Sequence, residues 1–129
     1  MFTVQPFETK ELGNASFVVA DPDSKQAIVI DPVRDVDQYL THAEKLGLKV
    51  TRALDTHTHN DFVSGARELK ALAGTAVDPL HPDEEVTLGS VTLRAMYTPG
   101  HTPDHRSYVL VENGRPKALW NRIRPKIVS

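Results

Sequence analysis

The chain has 129 residues, 40% of them hydrophobic and 25% charged, with a formal net charge of −2 and no cysteine. That length and composition fit one small domain with a real core and exclude wholesale disorder. The lack of cysteine excludes a disulfide framework, a thiolate nucleophile, a persulfide carried on this chain, and any Cys-ligated zinc or iron–sulfur cluster, so a metal must sit on His, Asp or Glu. A pI near 6.3 gives no electrostatic support to a dominant nucleic-acid role. No run of 18 apolar residues is present, and the start Met1-Phe2-Thr3-Val4-Gln5 lacks a basic n-region and an apolar h-region, so the expectation is a cytoplasmic protein without a membrane span or secretory signal.

Taken in chain order, 2–5 reads as a short strand. Two apolar runs, 15–20 and 27–30, flank the turn cluster Asp21-Pro22-Asp23-Ser24 and read as a hairpin. Val36, Tyr39, Leu40, Ala43 and Leu46 recur at helical spacing, with Asp35 as the predicted N-cap and Gly47 as the stop. Residues 48–55 alternate like a half-buried strand with Leu48, Val50 and Leu54 apolar. A second helix is predicted over 61–73, stopped by Gly74. Strands at 85–88 and 91–97 straddle Gly89-Ser90, and a further strand covers 107–111, ended by Asn113-Gly114. Residues 75–83 and 121–129 show no period. Helices alternating with strands predict an α/β layered domain.

All seventeen acidic residues lie at or before Glu112, so residues 1–112 carry −7 while the last 17 residues carry +5. This basic stretch reads either as an ordinary tail or as a segment foreign to the fold before it.

The chemistry concentrates in two places. Asp55-Thr56-His57-Thr58-His59-Asn60-Asp61 lies where a strand gives way to a helix. On extended backbone, residues two apart point the same way, so His57 and His59 can converge on one point, and Asp61 can either cap the next helix or face the same crevice. Neutral imidazole and carboxylate suit Fe(II), Zn and Mn, although such a pair also arises from structural histidines. The second place is Thr98-Pro99-Gly100-His101-Thr102-Pro103-Asp104-His105, a stiff loop that presents His101; the plain alternative is a turn with a surface histidine. Either reading is open for Asp31 (a bond to the metal loop or a turn cap) and for His105. His81 reads as a surface-loop residue, His42 as solvated on the first helix, and Trp120 as core.

THTHNDFVSG (56–65) together with TPGHTPDH (98–105) resembles the metallo-β-lactamase superfamily, and Asn14-Ala15-Ser16 and Ile30-Asp31-Pro32 are similar to its early strands. The resemblance runs from about residue 2 to about residue 120 and is nearest to the persulfide dioxygenase (ETHE1-like, bacterial rhodanese-associated) branch. It implies an α/β fold, the N-terminal half of an αββα sandwich with the rest missing. It makes 1–120 a partial metallo-β-lactamase-like domain and 121–129 a basic tail unlike the family.

The superfamily pattern is H-x-H-x-D-H, and Phe62 stands where its last histidine falls, which weakens a second metal site. The resemblance therefore implies one Fe(II) per chain, with Zn the alternative, held by His57 and His101. His59 and Asp61 orient those ligands or provide alternative ones. The family's aspartate ligand follows a segment that Ala118-Leu119-Trp120 resembles, yet no acidic residue follows Glu112; Asp61 and Asp104 are the carboxylates left to substitute. The stretch around 77–83 is also short for the family.

The implied activity is O₂-dependent oxidation of glutathione persulfide, or a similar small persulfide, to sulfite and the thiol. A glyoxalase II-like thioester hydrolase is the alternative, and an inactive metal-binding remnant a third. Implied partners are the small thiol substrate and a separate rhodanese; Arg106 and Tyr108 are candidates for contacting a glutathione moiety, though alternation sends one of them into the core. A half-sandwich that exposes an apolar sheet face is also expected to form a homo-oligomer.

Overall fold

The early apolar runs form a four-stranded sheet in the order β1-β2-β3-β4. The structure, a computed structural model, describes residues 2–9, 14–33, 35–54, 84–97, 106–120 and 126–127. β1 (Thr3–Thr9) pairs antiparallel with β2 (Asn14–Asp21), and β2 with β3 (Gln26–Ile30). β1 runs past the predicted residue 5 and contains Pro6. Proline lacks a donor for the ladder, and β1 is an edge strand, where that loss is tolerated.

β3 leads through α1 (Asp37–Lys45) to β4 (Lys49–Leu54), which lies parallel beside β3. Parallel neighbours need such a crossover. The N-cap of α1 is Val36, not the predicted Asp35, and no side chain caps it; Asp35 instead offers its carbonyl to Gln38 Nε2 at 2.8 Å. The stop falls as predicted. Gly47 adopts φ +67, its N–H bonds the Glu44 carbonyl at 3.1 Å, and the Leu48 N–H bonds the Ala43 carbonyl at 2.8 Å, a Schellman arrangement that satisfies the last carbonyls of the helix.

β4 departs from simple alternation. Its register to β3 slips at Ala27/Ile28, so Ala27 faces Val50 but Ile28 faces Arg52, and Thr51 is the extra residue. A bulge of one residue reverses the faces beyond it. Val50 and Ala53 therefore pack on the helix side, while Leu54, expected on the same face as Val50, lies on the opposite one.

The second sheet has the order β5-β6-β7-β8-β9, all antiparallel. Its strands are β5 (Glu85–Leu88), β6 (Val91–Tyr97), β7 (Arg106–Glu112), β8 (Arg115–Trp120) and β9 (Lys126–Ile127). The sequence reading missed β8 and β9. Asn113 (φ 54) and Gly114 (φ 75) make a two-residue hairpin turn of the kind that Asn-Gly favours, but Arg115, Pro116 and Lys117 hide the strand that follows.

Two cores result. Phe17, Val19, Ile28, Ile30 and Leu54 of the first sheet meet Leu88, Val91, Leu93, Ala95, Tyr108, Leu110, Ala118 and Trp120 of the second. On the other face of the first sheet, Val18, Ala20, Ala27, Val29, Val50 and Ala53 meet Val33, Val36, Tyr39 and Ala43. The described layers are thus helix, sheet, sheet. Each fully buried aliphatic side chain contributes about 1.5–3 kcal/mol, so the inter-sheet core dominates what holds the sheets face to face. No described helix is long and apolar enough to cross a membrane.

One polar contact ties the sheets together at the end where β2 finishes. Asp21, only 1% exposed, accepts the Ser90 backbone N–H on Oδ2 at 3.3 Å, across 69 residues of sequence. Burial pushes the Asp21 carboxyl up. Hydrogen bonds from the Ser24 side chain and from the Ser90 and Asp23 backbones outweigh that, and hold it below the ordinary 3.8. A carboxylate depressed in the folded state contributes stability that is fully present above its unfolded value and lost as pH falls through its folded value. Denaturant unfolding of the wild type and of Asp21→Asn should therefore differ most near neutral pH, with the gap closing only below about 3.8; a gap that does not change down to pH 2.5 would contradict this.

Candidate metal centre

Residues placed opposite one another in the two sheets define one end of the sandwich. Leu54 is in register with Ile30, and Ile30 with Phe17. The Phe17 ring meets the Trp120 ring edge-on at 6.3 Å. Trp120 is in register with Tyr108, and Tyr108 with Ala95. This continuous row spans both sheets. Three segments leave the described strands beside it: residue 55 follows Leu54, residue 98 follows Tyr97 at the end of β6, and residue 121 follows Trp120. The Asp21–Ser90 contact lies at the opposite end, where Asp21 pairs with Gln26 and Leu88 with Val91.

His57, His59 and Asp61, with Phe62, lie outside the described residues, as do His101, Asp104, His105 and His81, so the structure gives no distances between them. It does fix where their segments are anchored. His57 is three residues beyond Leu54, and His101 four residues beyond Tyr97 and five before Arg106. Leu54 and Tyr97, the described strand ends that precede these histidines, lie at the same end of the sandwich. Among the described residues no group of three or more His, Cys, Asp or Glu is placed to hold a metal. The available donors are imidazoles and carboxylates, a set that fits a divalent ion such as Fe(II) or Zn.

The anchorage of the first segment is visible in detail. Asp31 ends β3 in the left-handed region (φ 54), which Asp tolerates better than most residues, and donates its N–H to the Leu54 carbonyl at 2.7 Å. Two residues on, the Val33 N–H bonds Tyr39 Oη at 2.9 Å, and Tyr39 Oη lies 2.6 Å from Ser16 Oγ, which in turn donates to the Phe7 carbonyl at 3.4 Å. The Phe7 and Tyr39 rings meet in a T-shaped arrangement with centroids 5.2 Å apart. Tyr39 is fully buried, and burial raises its hydroxyl above 10.0, so it stays neutral. Ser16 of the early motif 14–16 is thus tied to Val33, the residue after the motif 30–32, through a helix residue that the sequence marked only as apolar.

Other candidates resolve against a direct role. Tyr108 is fully buried in the inter-sheet core and is the member of the Arg106/Tyr108 pair that alternation sends inward. Trp120 is core as expected. His42 is half-buried rather than solvated, with Phe7 edge-on at 5.6 Å.

No family model matches the chain. Its fold superposes on the crystal structure of a metallo-β-lactamase from Staphylococcus aureus with a TM-score of 0.84 at 27% identity, over 92% of this chain and 42% of that one. The chain has the metallo-β-lactamase fold. Among curated proteins with similar sequences are a hydroxyacylglutathione hydrolase from Maricaulis maris and a mouse protein named persulfide dioxygenase ETHE1, mitochondrial. The first is 30% identical over 78% of this chain and 44% of its own length; the second is 32% identical over 82% and 46%. The chain therefore spans less than half of the length of these relatives. In this metallo-β-lactamase fold the described layers supply the strands, β4 and β6, that precede the two histidine segments in the sequence.

Proposed function

We propose that this chain carries a mononuclear metal centre of the persulfide dioxygenase type, one Fe(II) per chain, with glutathione persulfide or a similar small persulfide as substrate. In the overall reaction persulfide, dioxygen and water give the thiol and sulfite. A bound Fe(II) would supply the redox chemistry that joins dioxygen to the terminal sulfur. The chain's own part is to hold and orient. The His57 and His101 imidazoles are the neutral donors, His59 and Asp61 fix their orientation or substitute for them, and Asp61 or Asp104 supplies the carboxylate that the segment after Trp120 lacks. The observation that supports this reading is that Leu54 and Tyr97, the strand ends that precede the two histidine segments in the sequence, lie at one end of the sandwich.

A glyoxalase II-like hydrolase is the second reading, favoured by the hydroxyacylglutathione hydrolases, which match as well as the dioxygenases do. Phe62 weighs against it, because a phenyl ring cannot complete a second metal site. Two assays on one preparation separate the readings. Iron-loaded protein should consume oxygen with glutathione persulfide and leave hydroxyacylglutathione intact. Thioester hydrolysis by zinc-loaded protein without oxygen uptake would replace the first reading by the second, and neither activity would leave an inactive metal-binding remnant.

A further inference from the structure

We propose that Tyr39, a helix residue with no place in either histidine motif, is a positioning residue of the metal centre. The inference rests on the reading above, that His57 belongs to such a centre. The segment 31–33 is a bracket fixed at both ends. At one end the Asp31 N–H clamps the carbonyl of Leu54, the residue from which the His57 segment departs. At the other the Val33 N–H is held by Tyr39 Oη at 2.9 Å. Pro32 between them is buried, and its ring fixes φ, so the bracket transmits position rather than absorbing it. Asp31 holds a left-handed φ of 54 outside any two-residue hairpin turn, a conformation that persists where its surroundings over-determine it.

The hydroxyl chain has one consistent direction. The Val33 N–H donates to Tyr39, Tyr39 donates to Ser16, and Ser16 donates to the Phe7 carbonyl. Every member is satisfied, and a fully satisfied buried network has a single geometry. Tyr39 thereby refers the exit of β4 to β1, β2 and α1 together. A phenylalanine at this position would fill the same space but leave the Val33 N–H without its acceptor.

Tyr39→Phe removes the hydroxyl alone. Anaerobic titration with Fe(II), and separately with Zn(II), should show affinity about tenfold weaker than in the wild type, the range seen when a group that orients a ligand is lost. The nitric oxide adduct of the iron-loaded variant should give a broadened electron paramagnetic resonance signal. Leu88→Val, at the far end of the sandwich, also lowers stability and should leave affinity and signal unchanged. In wild-type protein, metal loading should slow hydrogen exchange at the Asp31 and Val33 amides, a readout that needs no variant.

Tyr39→Phe binding within twofold of the wild type, an equal loss in Leu88→Val, or exchange at both amides indifferent to metal would each overturn the proposal. If wild-type protein binds neither metal, the metal-centre reading itself falls, an outcome distinct from a wild type that binds and a Tyr39→Phe variant that binds equally well.

Discussion

Gly89→Ala is expected to destabilise the chain by at least about 3 kcal/mol, lowering the melting temperature by on the order of 10 °C. Two effects combine. Gly89 turns the β5–β6 hairpin at φ +60, where an L side chain costs about 1–2 kcal/mol. A Cβ there would also fall on Asp21 Oδ2, and within 2.6 Å of Cγ and 2.8 Å of Ser24 Oγ. Asp21 is buried and cannot swing aside without losing the Ser90 N–H, and hydrogen bonds to charged groups are worth about 1.5–3 kcal/mol. A double-mutant cycle separates the two. With Asp21→Ala already in place the main obstacle is gone, the remaining Ser24 Oγ being the end of an exposed side chain, and Gly89→Ala should cost little beyond the backbone share. An equal cost in both backgrounds would mean that the Asp21 contact does not restrain the turn.

The largest functional effect is expected at the histidines. His57→Ala and His101→Ala should each weaken metal binding by more than about 100-fold, since loss of even an outer partner of a ligand typically costs 10- to 100-fold. The double variant is more informative. If both imidazoles serve one ion, removing the second has little left to disrupt, and the double variant should bind about as poorly as either single one. Losses that multiply would point to two independent sites. Isothermal titration with Zn(II) on the four proteins decides between them.

Sequence pattern reached the elements whose determinants are local. The β5–β6 hairpin followed from Gly89-Ser90, the end of α1 from Gly47, and the paired strands of the first sheet from their apolar runs. It failed where the deciding partner is distant or the local signal is diluted. β8 begins with Arg115, Pro116 and Lys117, and is a strand because β7 and β9 flank it. Leu54 changes face because of a bulge at Thr51, which no periodicity announces. The need for glycine at 89 comes largely from an aspartate 68 positions earlier in the chain.

The site divides in the same way. The strand ends at Leu54 and Tyr97 were legible from their apolar runs, while the histidine motifs that follow them lie outside the described residues. The support behind them was not, because Tyr39 sits at an ordinary apolar helix position, and only the fold brings its hydroxyl to Ser16 and Val33.

Metal stoichiometry, read together with the character of the bound iron, tests the central claim most directly. The chain purified anaerobically and loaded with Fe(II) should hold close to one iron per chain, and its nitric oxide adduct should give the electron paramagnetic resonance signal of mononuclear iron. Two metals per chain, no tight binding, or an undiminished signal in His101→Ala would contradict a single ion shared by His57 and His101.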